Sequence, residues 1–232
     1  DSATSAPIAG ACVYAIPESG TSGFGGSTCA DIDGSYSLML SPGSWKLRFD
    51  APSAGYSQRF WPDSADASSA TAVPITAGTT LADIDMSLIK GGAISGRATD
   101  ADNGAPLSGI CVSPIDATGA VVDSRYACTG LDGAYRINGL APGSYRLSFT
   151  NPSGRYLSEW FDDKTSVATA TPVVVAGTAT STADAALTLG GSVSGTITDS
   201  DTGLPLGGVC VTIVRAGDGE HAGLACTAAD GR

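Results

Sequence analysis

Six cysteines are the residues with the clearest chemistry in this 232-residue sequence, and they fall into three pairs. Cys12, Cys111 and Cys210 lie 99 residues apart, and each is followed by a second cysteine after 16 or 17 residues. Zinc sites use closely spaced cysteine pairs or nearby histidines, and His221 is the only histidine. Paired cysteines in an even number are typical of an oxidising compartment. We therefore predict the disulfides Cys12–Cys29, Cys111–Cys128 and Cys210–Cys226.

Clustered acidic side chains offer the oxygen ligands that calcium prefers. Asp100, Asp102 and Asn103 form such a cluster, and Asp199 and Asp201 repeat part of it. The spacing does not match an EF-hand loop, and Asp and Asn also form turns by binding their own backbone. Turns are the favoured interpretation. Calcium at the first cluster is the alternative, and no other cofactor or metal is expected.

An aromatic segment is the best candidate for ligand binding. It occurs twice, with its aromatic residues at Tyr56, Phe60, Trp61, Tyr156, Trp160 and Phe161. Adjacent side chains on a strand point to opposite faces, so one aromatic of each adjacent pair is expected to lie outside the core. Exposed rings stack on sugars or anchor interfaces. The favoured alternative is that both rings cover the edge of the fold or pack between repeats.

The sequence predicts no enzyme. Nucleophilic catalysis of the Ser-His-Asp or Cys-His kind would depend on His221. Paired carboxylates of the glycosidase kind belong in a cleft, whereas the Asp residues here recur in predicted turns. Residues 23–26 are glycine-rich but lack the lysine and the following helix of a phosphate-binding loop.

The cysteine spacing extends to the whole sequence, which is an array of one unit of about 99 residues. Residues 91–189 form a complete unit, and residues 190–210 repeat its beginning. Asp1 aligns with Asp100, and Arg232 falls in the middle of a unit. We therefore expect residues 1–90 to be a repeat without its first strand, 91–189 a complete repeat and 190–232 a partial repeat. These are copy one, copy two and copy three below.

Short apolar segments between turn residues predict strands in every copy. In copy two, Tyr145, Leu147 and Phe149 alternate with polar residues, which indicates a strand with one buried face. Strands are also expected at residues 93–99, 109–114 and 121–129, and at most one helical turn near residues 162–166. About seven short strands with frequent turns predict a β-sandwich. Only Gly-Gly separates the copies, so we expect an all-β chain of tandem sandwiches arranged as beads in a rod.

The composition restricts the partners. The net charge is −11 and charged residues are only 15% of the chain. An acidic chain is unsuited to nucleic acid and to an anionic membrane surface, and no apolar run is long enough to span a membrane. Together with the disulfides, this indicates an extracellular protein that binds no nucleic acid and is not inserted in a membrane.

A pattern of turn and strand residues in copy two resembles a known family. It consists of Ile94-Ser95-Gly96, Thr99-Asp100, Pro106-Leu107, Gly109, Asp132-Gly133, Tyr135, Pro142-Gly143, Tyr145 and Phe149. These residues resemble the carboxypeptidase-regulatory-like repeats, close kin of the B-type repeats of collagen adhesins. The resemblance implies an Ig-like or transthyretin-like (prealbumin-like) sandwich in secreted or surface-anchored bacterial proteins, where such modules are stalks, spacers or accessory domains.

The resemblance also implies a cross-link that this sequence does not repeat. Adhesin repeats of this kind often carry an isopeptide bond between a lysine and an Asn or Asp. Here Lys46 aligns with Arg146, and Lys90 aligns with Leu189. A repeated isopeptide bond is therefore not expected, and the disulfide takes its place as the covalent link.

Three functions are consistent with the sequence. The leading hypothesis is a non-enzymatic structural repeat of an extracellular or cell-surface bacterial protein, a stalk, spacer or filament element whose partners are neighbouring copies of the module or chain. The second is a carbohydrate- or matrix-binding accessory module of a secreted enzyme or adhesin. The third is a filament subunit in which residues 192–198 of one chain fill the place of the strand missing from copy one of the next. Residues 198–232 would then duplicate residues that copy one already has.

Overall fold

In a computed structural model, the protein consists of β-strands joined by turns. The structure describes residues 1–18, 25–122, 125–214, 216–217 and 221–232, and of residues 221–222 it describes the backbone alone. In these ranges the only helical element is a 3₁₀ turn, Ala67–Ser69. No helix in the described part of the chain is long and apolar enough to cross a membrane. The predicted all-β fold class is confirmed.

Among its described residues, copy one contains a single sheet of five strands. The strands are β1 (Cys12–Pro17), β2 (Gly26–Cys29), β3 (Gly43–Ala51), β4 (Tyr56–Phe60) and β5 (Val73–Ile75). Their order is β2-β1-β3-β4, and β5 also pairs with β3. Apolar side chains alternate along the central strands, so that Val13, Ala15, Leu47 and Phe49 are buried on one face.

Copy two contains two sheets. The strands are β6 (Gly92–Asp100), β7 (Cys111–Ile115), β8 (Ala127–Cys128), β9 (Ala134–Leu140), β10 (Gly143–Thr150), β11 (Glu159–Trp160), β12 (Val173–Val175), β13 (Thr180–Thr182) and β14 (Ala185–Leu187). One sheet has the order β11-β10-β7-β8, with β12 also on β10; the other has the order β13-β6-β14, with β9 also on β6.

The two sheets of copy two enclose one core. Ile94 and Ile137 come from one sheet and Val112, Leu147 and Phe149 from the other, and all five are at most 2% exposed in a single cluster. The alternation predicted for β10 is therefore observed, and this copy is a β-sandwich.

Copy three contributes a hairpin of β15 (Cys210–Val214) and β16 (His221–Cys226). Its apolar side chains remain largely open to solvent, with Val211 46% and Leu224 61% exposed. The relation of the three copies as beads in a rod remains a prediction.

Each copy carries one disulfide between neighbouring antiparallel strands. The bonds join Cys12 to Cys29, Cys111 to Cys128 and Cys210 to Cys226, each with a Cα–Cα distance of 3.9 Å. The paired cysteines are directly opposite each other in the ladders β1–β2, β7–β8 and β15–β16. These are the pairs that the cysteine spacing predicts.

One of the predicted local structures is wrong. The strand expected at residues 121–129 is reduced to Ala127–Cys128; residues 123–124 lie outside the described part, and Arg125 turns away to direct its side chain toward copy one. Near residues 162–166, where at most one helical turn was expected, no helix forms because Asp162 and Asp163 adopt φ values of 69° and 55°. These left-handed conformations end any right-handed helix.

Candidate functional site

The aromatic and acidic candidates of copy two meet in one contact. The Tyr156 hydroxyl donates a hydrogen bond to Asp100 Oδ2 at 2.8 Å. Copy one repeats it, with the Tyr56 hydroxyl donating to Asp1 Oδ2 at 2.7 Å. The hydrogen bond from Tyr156 lowers the pKa of Asp100. The tyrosine of the aromatic segment therefore fastens the turn at the end of β6 to the edge of β10–β11.

The adjacent aromatics Phe60-Trp61 and Trp160-Phe161 are placed alike in the two copies. Trp61 and Phe161 pack against the cores of their copies, and their N–H groups donate to Leu47 O and Leu147 O at 2.9 Å. Phe60 is only 5% exposed, and Trp160 is half-buried. Phe60 and Trp160 lie outside the two core clusters. Phe60 is nevertheless buried, so only the half-buried Trp160 is open to solvent in part.

The calcium candidates are engaged in an Asx turn. Asp100 Oδ1 accepts from the N–H groups of Asp102 and Asn103 at 2.9 and 3.3 Å, and Asn103 Oδ1 accepts from Ala105 N–H at 2.8 Å. Asp199 Oδ1 accepts from Asp201 and Thr202 in the same way in copy three. Within the described ranges, no group of three or more His, Cys, Asp or Glu side chains could hold a metal ion. Calcium binding at Asp100, Asp102 and Asn103 stays an untested prediction.

The other reactive groups are scattered. The His221 side chain and residues 23–24 of the glycine-rich segment lie outside the described part of the structure. Lys46 and Lys90 donate to the carbonyl oxygens of Ala67 and Ala54, each at 2.7 Å. Glu159 has a raised pKa of about 7 through burial and the nearby charge of Asp163. These groups do not converge on one reacting centre.

A buried ion pair joins copy one to copy two. The guanidinium of Arg125 contacts the carboxylate of Asp50, with side chains 1% and 2% exposed. Arg125 Nη2 also donates to Tyr56 O at 3.0 Å, and Nη1 to Asn138 O at 3.5 Å. Burial raises the pKa of Asp50 and lowers that of Arg125, while their mutual attraction opposes both shifts. An unpaired charge at this depth would be strongly unfavourable, so the pair fixes these two segments against each other.

Glycines allow the close approach around this ion pair. A Cβ on Gly139 would lie 2.3 Å from Tyr56 O, and one on Gly91 would lie 2.5 Å from Leu140 O. Gly139 also has φ +68°, a conformation that glycine adopts without strain. The junction of copies is thus built from backbone contact and one charged pair.

A groove lined by apolar and polar residues alike runs along copy one. It has a volume of about 1120 Å³. Tyr36, Leu38 and Leu40 form one wall, and Ile84 and Met86 form the other, all in partial contact with the core. The corresponding segments of copy two are β9, β13 and β14, which pair with β6. In copy one no strand is assigned within residues 36–40 or 80–86.

Sequence reasoning missed the junction between copy one and copy two. In copy one Phe49 is followed by Asp50, whereas in copy two Phe149 is followed by Thr150. An acidic residue among the buried residues of β3 was therefore the signal that could have indicated the junction. The partner, Arg125, is 75 residues away and has no basic counterpart in copy one. A comparison of the residues that recur in every copy does not reveal the Asp50–Arg125 contact, because neither residue recurs.

Comparison with solved structures gives distant likenesses. The Bacillus anthracis TIE protein is 14% identical over 98% of this chain and 40% of its own, with a TM-score of 0.35. A minor pilin of Streptococcus agalactiae is 14% identical over 82% of this chain and 87% of its own, with a TM-score of 0.33. The shaft pilin SpaA of Lactobacillus rhamnosus GG is 12% identical over 82% and 91%, with a TM-score of 0.32. This chain spans well under half of the first of these proteins.

Sequence comparison finds one family model that matches copy two. A search of curated proteins found no match. Residues 93–188 match the sequence model of the carboxypeptidase regulatory-like domain. The match begins in β6 and ends just after β14, so it contains both sheets of the sandwich and their common core. Copy two is therefore similar to the carboxypeptidase regulatory-like domain over both sheets of its sandwich.

Proposed function

We propose that this chain is a non-enzymatic structural repeat of an extracellular bacterial protein, serving as a stalk, spacer or filament element. The observation that carries the proposal is the repeated disulfide, which links the same pair of neighbouring strands in all three copies. A covalent link placed identically in successive units is suited to a part that must resist unfolding outside the cell, where disulfides persist.

The roles of the candidate residues support this proposal. The repeated Asp and Tyr residues hold turns, and the repeated aromatics cover the cores. Such residues maintain the shape of each copy. Asp50 and Arg125, which differ between the copies, connect copy one to copy two. The partners expected from this function are neighbouring copies of the module or chain.

The stability of copy two tests the proposal. We expect residues 91–189 alone to fold, and reduction of Cys111–Cys128 to lower the free energy of unfolding by about 3 kcal/mol, because the bond closes a loop of 17 residues. Denaturant unfolding with and without a reductant measures this. A Cys111→Ser/Cys128→Ser variant is the control, since the reductant should leave it unchanged. A disordered copy two, or equal stability of the oxidised and reduced forms, would contradict the proposal.

A second candidate, binding of a glycan or matrix protein, is favoured by Trp160 alone. This ring lies on β11 opposite Ser148 of β10 and outside the core cluster. If Trp160 stacks on a sugar, Trp160→Ala abolishes binding in a glycan screen while the melting temperature stays the same. Tyr126→Ala, at a ring that is 67% exposed elsewhere, is the matched control and should retain binding.

A further inference from the structure

A small cleft lies where copy one meets copy two. It is lined, among others, by Ala54 and Lys90 of copy one and by Gly92 and Arg136 of copy two, and it has a volume of about 260 Å³. All of its described lining residues fall within residues 54–178, so neither end of the sequence borders it. Pockets for drug-sized ligands have about 300–1,000 Å³, so this junction cleft suits a smaller ligand, such as a single ion or one sugar ring.

The junction cleft carries positive charge in an acidic chain. Its described lining residues include Lys90 and Arg136 but no Asp or Glu, although the chain has 23 acidic residues against 12 Lys and Arg. Among the described residues, neither cation has a carboxylate within ion-pair distance. A cleft lined by charges of one sign concentrates ions of the opposite sign, so the ligand that fits this charge is an anion.

Both cations of the junction cleft are oriented by neutral oxygens. Lys90 Nζ donates to Ala54 O at 2.7 Å. Arg136 Nε donates to Asn138 Oδ1 at 2.7 Å, and its Nη2 donates to Thr180 Oγ1 at 3.1 Å. An ammonium and a guanidinium group each have more N–H donors than these hydrogen bonds use. Donors therefore remain on both side chains for the oxygens of an anion.

Neither cation belongs to the repeated structural pattern. Lys90 aligns with Leu189 of copy two, and Arg136 aligns with Ser37 of copy one. Features that hold the shape of each copy recur between the copies, as the disulfides do. The two cations are therefore specific to this junction and are not required by the fold of a copy.

We propose that the junction cleft binds a small oxyanion, a carboxylate or a sulfate group, with Lys90 and Arg136 as its charged donors. Hydrogen bonds between ionised groups are shorter and stronger than neutral ones, and here the two donors belong to different copies. A bound oxyanion therefore links copy one to copy two in addition to the Asp50–Arg125 pair. Its source is either a free ion or the acid group of an acidic sugar. The structural function does not depend on this ligand.

The test is a calorimetric titration of the full chain with sodium sulfate, sodium glucuronate and glucose at constant ionic strength. We expect saturable binding of both anions and none of glucose, which has no charge. Lys90→Gln and Arg136→Gln should each weaken anion binding about tenfold or more, because each removes a hydrogen bond to a charged group. Lys46→Gln is the matched control and should bind as before, since Lys46 also donates to a carbonyl oxygen at 2.7 Å but does not line the cleft.

Amide NMR shifts of Gly55, Gly92 and Gly139 during the titration locate the ligand, and melting temperatures show that the variants fold. Tighter binding of glucuronate than of sulfate would identify an acidic sugar as the ligand, and equal binding would show that the acid group alone is recognised; both support the site.

Four results would overturn the proposed anion site. They are the absence of saturable anion binding, equal binding of glucose, unchanged binding by folded Lys90→Gln and Arg136→Gln variants, and NMR shifts confined to residues outside the cleft. The unfolding test of residues 91–189 does not include Lys90, so failure of the anion site leaves that test of the structural function unchanged.

Discussion

Glu159 and Arg59 occupy the same position in β11 and β4, and each precedes an Asp by four residues. In copy one Arg59 Nε donates to Asp63 Oδ1 at 3.1 Å. In copy two the pair is Glu159 and Asp163, and Glu159 Oε1 is buried with no hydrogen-bond partner among the described residues. Burial and the charge of Asp163 raise the pKa of Glu159 from its ordinary value of 4.5 to about 7.

This difference predicts a pH dependence of stability. A carboxyl with a raised pKa in the folded state takes up a proton on folding, so its contribution to stability is greatest below 4.5 and is lost as the pH rises through about 7. We expect Glu159→Gln to remove the part of the decline in the free energy of unfolding that Glu159 causes between pH 4.5 and about 7. Denaturant unfolding of both proteins across this range measures it, and parallel curves would contradict the assignment to Glu159.

Substituting arginine for Glu159 should replace the repulsion between Glu159 and Asp163 by an attraction between the new arginine and Asp163. Glu159→Arg recreates the Arg59–Asp63 pair beside Asp163, and we expect the free energy of unfolding at pH ~8 to rise by about 0.5 kcal/mol, as for exposed ion pairs. Arg59→Glu in copy one is the reciprocal control and should lower it by a similar amount. Thermal unfolding of the two variants would disprove the explanation if both shifted in the same direction.

At the scale of elements, β6 determines whether a second sheet forms. Copy two has β6 and all its neighbours are strands, whereas the corresponding segments of copy one have similar sequences and no strand. Sheet formation therefore depends on a central strand as well as on local propensity. This is why Tyr36, Leu38 and Leu40 alternate with other residues as in a strand, although the structure has no strand at these positions.

The close contact at Gly96 gives a test of the β6 position. Because a Cβ would lie 1.9 Å from Ala183 O, we expect Gly96→Ala to destabilise copy two by about 1–3 kcal/mol. Gly195→Ala is the matched control, since its Cβ would meet nothing within 4 Å and stability should hardly change. Denaturant unfolding of the full chain compares the two. Equal effects would show that the approach of β6 to residue 183 is not tight.

The sequence predicts much of the element structure, for identifiable reasons. The alternation in β10 and the cysteine spacing are local patterns, and both are observed. The strand expected at residues 121–129 does not form in full, because the Arg125 side chain turns away to pair with Asp50 of copy one. The repeated aromatic segment is visible in the sequence, but the burial of Phe60 and the hydrogen bond from Tyr156 to Asp100 depend on residues distant in sequence.

At the scale of the whole molecule, the Asp50–Arg125 pair is the contact that relates copy one to copy two. Removing one partner leaves the other charge buried and unpaired, so we expect Arg125→Met to cost about 3–5 kcal/mol. Asp63→Asn, which breaks an exposed pair of comparable geometry, should cost less than about 1 kcal/mol. Denaturant unfolding of the two variants is the measurement. A cost for Arg125→Met no greater than that for Asp63→Asn would show that the junction does not depend on the pair.

The central claim is that this module is a building element of a larger extracellular structure. Electron microscopy of the native material, paired with an intact mass, tests it most directly. The account predicts fibres or elongated particles, and a mass well above the 23.0 kDa of this chain, because the repeat continues in neighbouring copies. Discrete compact particles near 23.0 kDa would contradict it and would make a binding role centred on Trp160 the better explanation.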